Sequence, residues 1–352
     1  MTKGAQRRSP SRDRRPHHRR TLLLRLGVAA LAGALAFSGC GGKRTDTETG
    51  GGGAGESGST GGRLTIATGN TTGVYYQLGG GLARLIDQNL EGYKATASET
   101  GASVQNIQGV VAGTYDVAFS LSDTAQDAVE GTGSFSEPQP VEALARLYPN
   151  YTHVLVRTDA GIDSIADMKG KRVSTGSPKS GTEVIAHRLL EDAGLDPASD
   201  IKAQRLGLPE TQDGMKDGAI DAMFWSGGLP TSGITDLTTS LGDKVELLDL
   251  SSSLAGLQEE YGSIYEAGSI PADTYGQAAD VPTIVVPNVL VVKKGFDAEL
   301  AGKLVKLIFD ERAALEKVNP AAADITLELA RKTDPIPLNE GASKALDDLG
   351  AK

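Results

Sequence analysis

Two short loops combine residue types that can bind an anion. Residues 68–73 read Thr-Gly-Asn-Thr-Thr-Gly, and residues 175–182 read Thr-Gly-Ser-Pro-Lys-Ser-Gly-Thr. Glycine lets the backbone approach a ligand closely, and Ser and Thr hydroxyls can donate hydrogen bonds to it. Each loop precedes an apolar pattern of helical spacing, and the first N–H groups of a helix favour a carboxylate or phosphate. Either loop alone is also consistent with an ordinary helix cap, but two at corresponding positions favour a binding site.

The second loop comes close to a nucleotide-binding P-loop without completing it. Residues 176–182 have the spaced glycines of that motif, but Thr182 stands where a Lys must reach the phosphates. We therefore do not expect nucleotide hydrolysis.

Several side chains near the loops could complete the site, each with a structural alternative. Tyr75 and Tyr76 are adjacent on a predicted helix, so one would face the ligand while the other packs. Ser103 and Asn106, near the start of the next predicted helix, either bind the ligand or cap that helix. Asp123 either recognises a ligand amine or caps a helix, with Gln126 close to a capping box.

Trp225 is the one tryptophan of the chain and ends a predicted strand, where it would line the cleft or join the core. The full set of expected ligand contacts comprises Thr68, Asn70, Thr72, Gly73, Tyr75, Tyr76, Ser103, Asn106, Ser120, Asp123, Ser177, Lys179, Ser180, Gly181, Thr182, Trp225 and Gly227.

Signals of catalysis are weak. Residues 41–352 contain two histidines, His153 and His187, and no cysteine, and they lack the spacing of a metal site. Asp and Glu are plentiful, but no pair of them stands out. We expect no enzymatic activity, no metal and no cofactor.

The elements that must position the loops occur twice. Gly113, Asp116 and Phe119 are matched 105 residues later by Gly218, Asp221 and Phe224, and the loops themselves recur after 107 residues. Both copies run strand, loop, helix and then a Gly-x-x-Asp strand. This order predicts two similar α/β lobes, with ligand bound beyond the carboxyl ends of the strands.

Two apolar segments, 152–157 and 283–292, predict strands that cross between the lobes. The chain would leave the first lobe, build the second and return, and helices in 298–349 would pack on the first. We predict a two-lobed type II periplasmic-binding-protein fold with two hinge strands, the first lobe formed by 63–152 and 285–352 and the second by 153–284.

Residues 1–40 are typical of an export signal. Nine basic residues between Lys3 and Arg25 precede an apolar run, Leu26 to Phe37, which ends in Phe37-Ser38-Gly39-Cys40, a sequence that resembles a lipobox. We expect Cys40 to be lipidated and residues 41–62, rich in Gly, Ser and Thr, to form a flexible tether. An Arg19-Arg20 pair leaves both the general secretory and the twin-arginine route open.

The net charge of residues 41–352 limits the classes of partner that the protein can bind. Residues 41–352 carry 26 Lys and Arg against 44 Asp and Glu, a formal charge of −18. So acidic a domain repels phosphates, so we expect no nucleic-acid binding. Nothing in the sequence argues for an oligomer, and we expect a monomer anchored to the outer face of the cell membrane.

A series of short motifs resembles the TAXI family, the solute-binding proteins of one class of tripartite ATP-independent periplasmic (TRAP) transporters. They span nearly all of residues 63–337: Thr-Gly at 68–69, Gly-Val-Tyr-Tyr at 73–76, Thr-Gly-Ala-Ser-Val-Gln-Asn at 100–106, Ser-Asp at 122–123, Leu-Tyr-Pro at 147–149, Asp-Met-Lys-Gly-Lys-Arg-Val at 167–173, Ser-Gly-Thr at 180–182 and Ile-Pro-Ala-Asp-Thr-Tyr at 270–275. The resemblance implies a sodium-coupled TRAP permease as partner and an amino acid such as glutamate or glutamine, or a dicarboxylate, as ligand.

The chain departs from that family at three positions. Asn70, Gln77 and Lys179 stand where Gly, Pro and Gly are common. Lys179 either places a cation at the mouth of the cleft or is solvated. An ABC-transporter receptor and an ectodomain that presents ligand to a sensor kinase remain alternatives.

Overall fold

The computed structural model describes residues 61–352, so the predicted signal, Cys40 and nearly all of the tether lie outside the described residues. The strands are β1 (Arg63–Ala67), β2 (Lys94–Ser98), β3 (Val117–Leu121), β4 (Val141–Arg157), β5 (Arg172–Ser174), β6 (Lys202–Gln204), β7 (Ala222–Gly227), β8 (Val245–Leu247), β9 (Glu266–Ile270) and β10 (Val281–Lys293). The helices are α1 (Val74–Asn89), α2 (Ser103–Ala112), α3 (Ser122–Glu130), α4 (Gly181–Asp192), α5 (Leu208–Lys216), α6 (Ser232–Leu241), α7 (Leu254–Tyr261), α8 (Ala272–Tyr275), α9 (Ala298–Asp310), α10 (Arg312–Glu316), α11 (Leu327–Ala330) and α12 (Glu340–Asp348).

The strands form two matching halves joined by β4 and β10, in the order β2-β1-β3-β10-β4-β7-β5-β6. In the first lobe, β1 is parallel to β2 and β3, and β3 is antiparallel to β10. In the second lobe, β5 is parallel to β6 and β7, and β7 is antiparallel to β4. The two-lobed α/β architecture with two crossing strands is therefore confirmed.

The repeated Gly-x-x-Asp motif has the same local structure in both lobes. Gly113 and Gly218 end α2 and α5 with φ of 76° and 70°, a left-handed conformation that glycine adopts without strain. The aspartate three residues later accepts a backbone N–H of the neighbouring strand, from Thr65 to Asp116 at 2.7 Å and from Arg172 to Asp221 at 2.8 Å. The motif thus fixes the first strand of each lobe against the third.

Buried apolar side chains cover both faces of the sheet in each lobe. In the first lobe one face carries α1, α9 and α12, and the other carries α2 and α3. In the second lobe α4 and α7 pack on one face, and α5, α6 and α8 on the other. The predicted packing of the C-terminal helices on the first lobe is confirmed.

The crossing strands differ in length from the prediction. β4 begins at Val141, eleven residues before the expected start, because residues 141–151 pair with the second half of β10. Pro149 faces Pro287 in this pairing, and the register shifts beside them. Proline lacks the N–H that the ladder needs, so we expect the strands to bend here. The division at residues 152 and 285 stays a proposal.

The helix after β3 begins differently from the prediction. Ser122 is already helical, Leu121 is the N-cap, and no side chain caps the helix. The expected N-cap position of Asp123 is wrong: Asp123 lies within the first turn, where its Oδ1 accepts the Thr124 N–H at 2.6 Å and its Oδ2 bonds partners in the other lobe. None of the helices within residues 61–352 has the length and hydrophobicity to cross a bilayer.

Candidate functional site

A narrow cavity of about 30 Å³ lies between the lobes. It is lined by Gly69, Asn70, Gly73, Val74, Tyr75, Gly101, Ala102, Ser103, Leu121, Tyr148, Asn150, Ser177, Ser180, Gly181, Thr182, Trp225, Ser226 and Gly227. Both predicted loops contribute to this lining. In this closed arrangement the cavity has room for about two water molecules, so a larger ligand requires the lobes to move apart.

Three helix N-termini converge on the cavity. They are those of α1 at Gly73, α2 at Ala102 and α4 at Ser180. The ends of α2 and α4 approach closely, since a methyl group on Gly181 would lie 2.7 Å from the Ser103 Oγ. Their free N–H groups and partial positive charge suit a bound anion.

The ends of α1 and α2 have no acceptor in their own caps. Gly73 lacks a side chain, and Ala102 offers only a methyl group, so neither makes a side-chain cap. Ala102 also has φ of 86° and ψ of −150°, a conformation that costs a non-glycine residue about 1–3 kcal/mol. Strained backbone conformations of this kind cluster at functional sites.

The lobes are closed over the cavity through contacts between the loops. The Asn70 amide and the Ser177 hydroxyl, equivalent positions of the two repeats, hydrogen-bond across the cleft at 3.2 Å. Asn70 Oδ1 also accepts the first N–H of α5, that of Leu208, at 3.0 Å. Conversely, the Lys179 carbonyl accepts the Gln105 N–H of α2 at 3.0 Å. Each loop therefore caps the second helix of the opposite lobe.

The crossing strands supply polar groups that the sequence analysis missed. The Tyr148 side chain is 0% exposed, and its hydroxyl has no hydrogen-bond partner among the described residues. Burial raises the pKa of Tyr148 well above its ordinary value, so the hydroxyl keeps its proton at neutral pH. An unsatisfied buried hydroxyl beside a cavity is a position that a ligand can satisfy.

Asn288 connects this part of the cavity to the hinge. Its amide donates to the Tyr148 carbonyl at 2.8 Å and to Asn150 Oδ1 at 2.9 Å, and it accepts from the Tyr75 hydroxyl. The Leu-Tyr-Pro motif at 147–149 was the one signal that could have pointed to Tyr148. The other missed lining residues are Gly69, Val74, Gly101, Ala102, Leu121, Asn150 and Ser226.

Ten of the seventeen predicted contacts line the cavity: Asn70, Gly73, Tyr75, Ser103, Ser177, Ser180, Gly181, Thr182, Trp225 and Gly227. Trp225 extends from β7 toward the other lobe, and its ring lies against Gly73. Tyr75 is among the lining residues and Tyr76 is not.

The remaining seven lie outside the cavity lining: Thr68, Thr72, Tyr76, Asn106, Ser120, Asp123 and Lys179. Asn106 donates to the carbonyls of Thr68 at 2.7 Å and Phe119 at 2.8 Å, so it positions the first loop. The Thr68 and Ser120 hydroxyls donate to backbone carbonyls. Lys179 has its ammonium on Gln108 Oε1 at 3.0 Å, and its φ of 63° fits a position where glycine is common.

Asp123 belongs to a buried ionic cluster that joins the lobes. Arg188 of α4 bonds Asp127 at 2.7 Å and Asp123 at 3.4 Å, and the Tyr265 hydroxyl donates to Asp123 at 2.7 Å. Burial raises the pKa of Asp123, which the charge of Arg188 and the Tyr265 hydrogen bond partly offset. With these partners Asp123 is not placed to recognise a ligand amine.

The chain matches one protein-family model and is similar in fold to several solved structures. Residues 66–350 match a model described as the NMT1-like family. A structure from Bordetella bronchiseptica has a TM-score of 0.50 and 17% identity, over 82% of this chain and 98% of that one. The binding-protein component of an ABC phosphonate transporter from Pseudomonas aeruginosa has a TM-score of 0.50 and 14% identity, over 75% and 79%.

An alkanesulfonate-binding protein from Xanthomonas axonopodis pv. citri has a TM-score of 0.46 and 16% identity, over 82% of this chain and 90% of that one. The fold is the type II periplasmic-binding-protein fold, as predicted.

Proposed function

Since the chain belongs to the NMT1-like family, we propose that it is an extracytoplasmic solute-binding receptor. It captures a small carboxylate-bearing solute between its lobes and delivers the solute to a membrane transporter. Amino acids such as glutamate or glutamine, and dicarboxylates, are the classes that the resemblance to TAXI proteins implies.

The observation that carries this proposal is the convergence of three helix N-termini on a cavity closed by contacts between the lobes. The arrangement suits an anion, and a closed cleft removes it from water. The two crossing strands, with Pro149 opposite Pro287, provide a hinge for release.

A ligand panel tests the proposal. The full chain carrying Cys40→Ser, verified free of bound small molecules by mass spectrometry, is titrated with carboxylates, amino acids, amides and neutral sugars. A ligand at about 100 times its Kd stabilises the native state by about 2.7 kcal/mol, which thermal unfolding detects. Stabilisation by a carboxylate supports the proposal, and stabilisation by neutral sugars alone contradicts it.

We propose a TRAP permease as the partner, from the resemblance of the sequence motifs. An ABC permease is the alternative, which the similarity to the phosphonate-transporter component favours. Solute uptake by vesicles that contain the co-expressed permease distinguishes the two alternatives. A sodium gradient would drive uptake by a TRAP system, and ATP would drive uptake by an ABC system. If neither drives uptake and a co-expressed sensor kinase responds to ligand, the chain is a sensor ectodomain.

The lipid anchor is also a proposal, supported by the motif around Cys40. Cys40→Ser is expected to move the protein from the membrane fraction to the soluble fraction and to abolish labelling with a fatty acid. Unchanged fractionation would contradict the anchor without affecting ligand binding.

A further inference from the structure

The side chains that line the cavity are all uncharged. The charged groups nearest to the loops lie outside this lining: Lys179 bonds Gln108, Glu183 forms an ion pair with Arg205, and Asp123 lies with Arg188. The carboxylate of Glu210 lies beside Gly207, but that residue is exposed to solvent. The lining itself therefore offers backbone dipoles, and no charged side chain, to balance a charge on the ligand.

The available dipoles amount to at most about one positive charge. A helix N-terminus carries roughly half an elementary charge. Neither α1 nor α2 has a side-chain cap, although the Lys179 carbonyl accepts the Gln105 N–H of α2. The end of α4 is partly satisfied, because the Ser180 hydroxyl accepts the Glu183 N–H at 2.9 Å. One carboxylate matches this field, whereas a second would be buried without compensation.

Burial of a ligand ammonium group in the cavity is disfavoured more strongly than burial of a second carboxylate. It would need a carboxylate or several free carbonyl oxygens, and it would sit in the same positive field that attracts the ligand carboxylate. Removing such a group from water without a counter-charge costs several kcal/mol.

The rest of the lining suits a neutral, partly apolar body with one polar atom. Val74, Leu121 and the ring of Trp225 provide apolar surface. Tyr148 lines the cavity, and its buried hydroxyl has no partner among residues 61–352. An oxo or hydroxyl oxygen on the ligand would satisfy it.

We infer that the ligand is a small monocarboxylate without an ammonium group, of the oxo-acid or hydroxy-acid class. This inference rests on the proposed function and narrows it, because it excludes α-amino acids and dicarboxylates from high-affinity binding.

Four ligands with the same carbon chain test the inference in the Cys40→Ser protein by calorimetry. They are 2-oxopentanoate, 2-hydroxypentanoate, 2-aminopentanoate and 2-oxoglutarate. The first two are expected to bind about 100-fold more tightly than the others, from the cost of an uncompensated buried charge. Glutamate, glutamine, 2-aminopentanoate or 2-oxoglutarate binding as tightly would overturn the inference while leaving the proposed function intact. Binding by neutral sugars but by no carboxylate would overturn both.

A Tyr148→Phe substitution tests the assigned contact, with Tyr93→Phe, outside the cavity lining, as the matched control. Loss of the hydroxyl is expected to weaken 2-oxopentanoate binding about tenfold. It leaves the Kd of pentanoate, which has no oxo group, within about twofold of the unsubstituted protein. Equal losses for both ligands, or no loss for either, would rule out a hydrogen bond from Tyr148 to the oxo group.

Discussion

The two Gly/Ser/Thr loops occupy equivalent positions in the two lobes but are satisfied differently. In the second lobe, Ser180 caps α4, and Glu183 accepts the Lys179 N–H at 2.9 Å while it pairs with Arg205. In the first lobe, Gly73 provides no cap for α1, and Tyr76 stands where α4 has Glu183. The second loop is thus hydrogen-bonded to its own helix, α4. In the first loop, no side chain caps the first N–H groups of α1.

Because of this difference, we expect the two lobes to contribute unequally to binding an anionic ligand. A loop with free donors gains more from an anion than a loop whose donors are occupied. We therefore expect the ligand carboxylate to bind the first lobe, after which the second lobe closes over it. The hydrogen bonds that Asn70 and Lys179 make to the opposite lobe would then form as the second lobe closes.

The largest expected effect is a loss of folding stability at low pH that arises in the second lobe. His153 lies on β4 among second-lobe side chains, donates to the Tyr151 carbonyl and accepts from the Tyr275 hydroxyl. Burial lowers the pKa of His153 to about 4, against about 6.5 in an unfolded chain. The unfolded state therefore binds more protons between these values, and stability falls as the pH drops from 6.5 toward 4, by about 3 kcal/mol in total.

Denaturant unfolding at pH 7 and pH 4 measures this loss, and His153→Gln is expected to remove that part of it. His187→Gln, on α4, is the matched control for replacing a histidine elsewhere in the second lobe. An identical acid loss in the unsubstituted protein and in His153→Gln would show that His153 is not the group responsible.

Closure of the second lobe can be blocked at one residue. The added methyl carbon at Gly181 would lie 2.6 Å from Leu121 and 2.7 Å from Ser103, both in the first lobe. Gly181→Val is therefore expected to hold the lobes apart and to weaken ligand binding about 100-fold, or about 2.7 kcal/mol. Small-angle scattering checks the open shape, and calorimetry checks the affinity.

Gly80→Val, on α1 with open space around it, is the control for adding the same side chain to a helix. If Gly181→Val bound ligand as tightly as the control, the closed arrangement would not be the one that holds the ligand.

Local and repeated features could be predicted from the sequence. The 105-residue offset and the Gly-x-x-Asp motif predicted both lobes, because each motif fixes bonds within its own lobe. The two loops were found for the same reason. Contacts that depend on how the lobes meet could not be predicted, and Asp123 shows why: its partner Arg188 is 65 residues away and in the other lobe.

Tyr148 illustrates a second limit. It lies in a strand next to Pro149, and which face its side chain takes depends on the register shift beside Pro287. A one-residue change of register would turn the hydroxyl away from the cavity. Sequence spacing gives no measure of that shift, so the hydroxyl that best fits a ligand was not among the predicted contacts.

The smallest expected effect comes from exchanging the caps of α1 and α4, and it tests the asymmetry most directly. Gly73→Ser supplies α1 with a side-chain acceptor, which stabilises a helix by a few tenths of a kcal/mol. Its Cβ would lie 3.2 Å from the Trp225 ring, so the ring must shift slightly and offsets part of that gain. The new hydroxyl occupies a donor that the ligand would use, and we expect binding to weaken about tenfold. Ser180→Ala removes the existing cap, costing about 1 kcal/mol of stability. Its effect on affinity is expected to stay within about twofold, because α4 is the lesser source of donors.

Denaturant unfolding of the ligand-free variants measures their stability, and calorimetry with the tightest ligand measures their affinity. Equal losses of affinity in the two variants would mean that the lobes share the anion, and a larger loss in Ser180→Ala would reverse their roles.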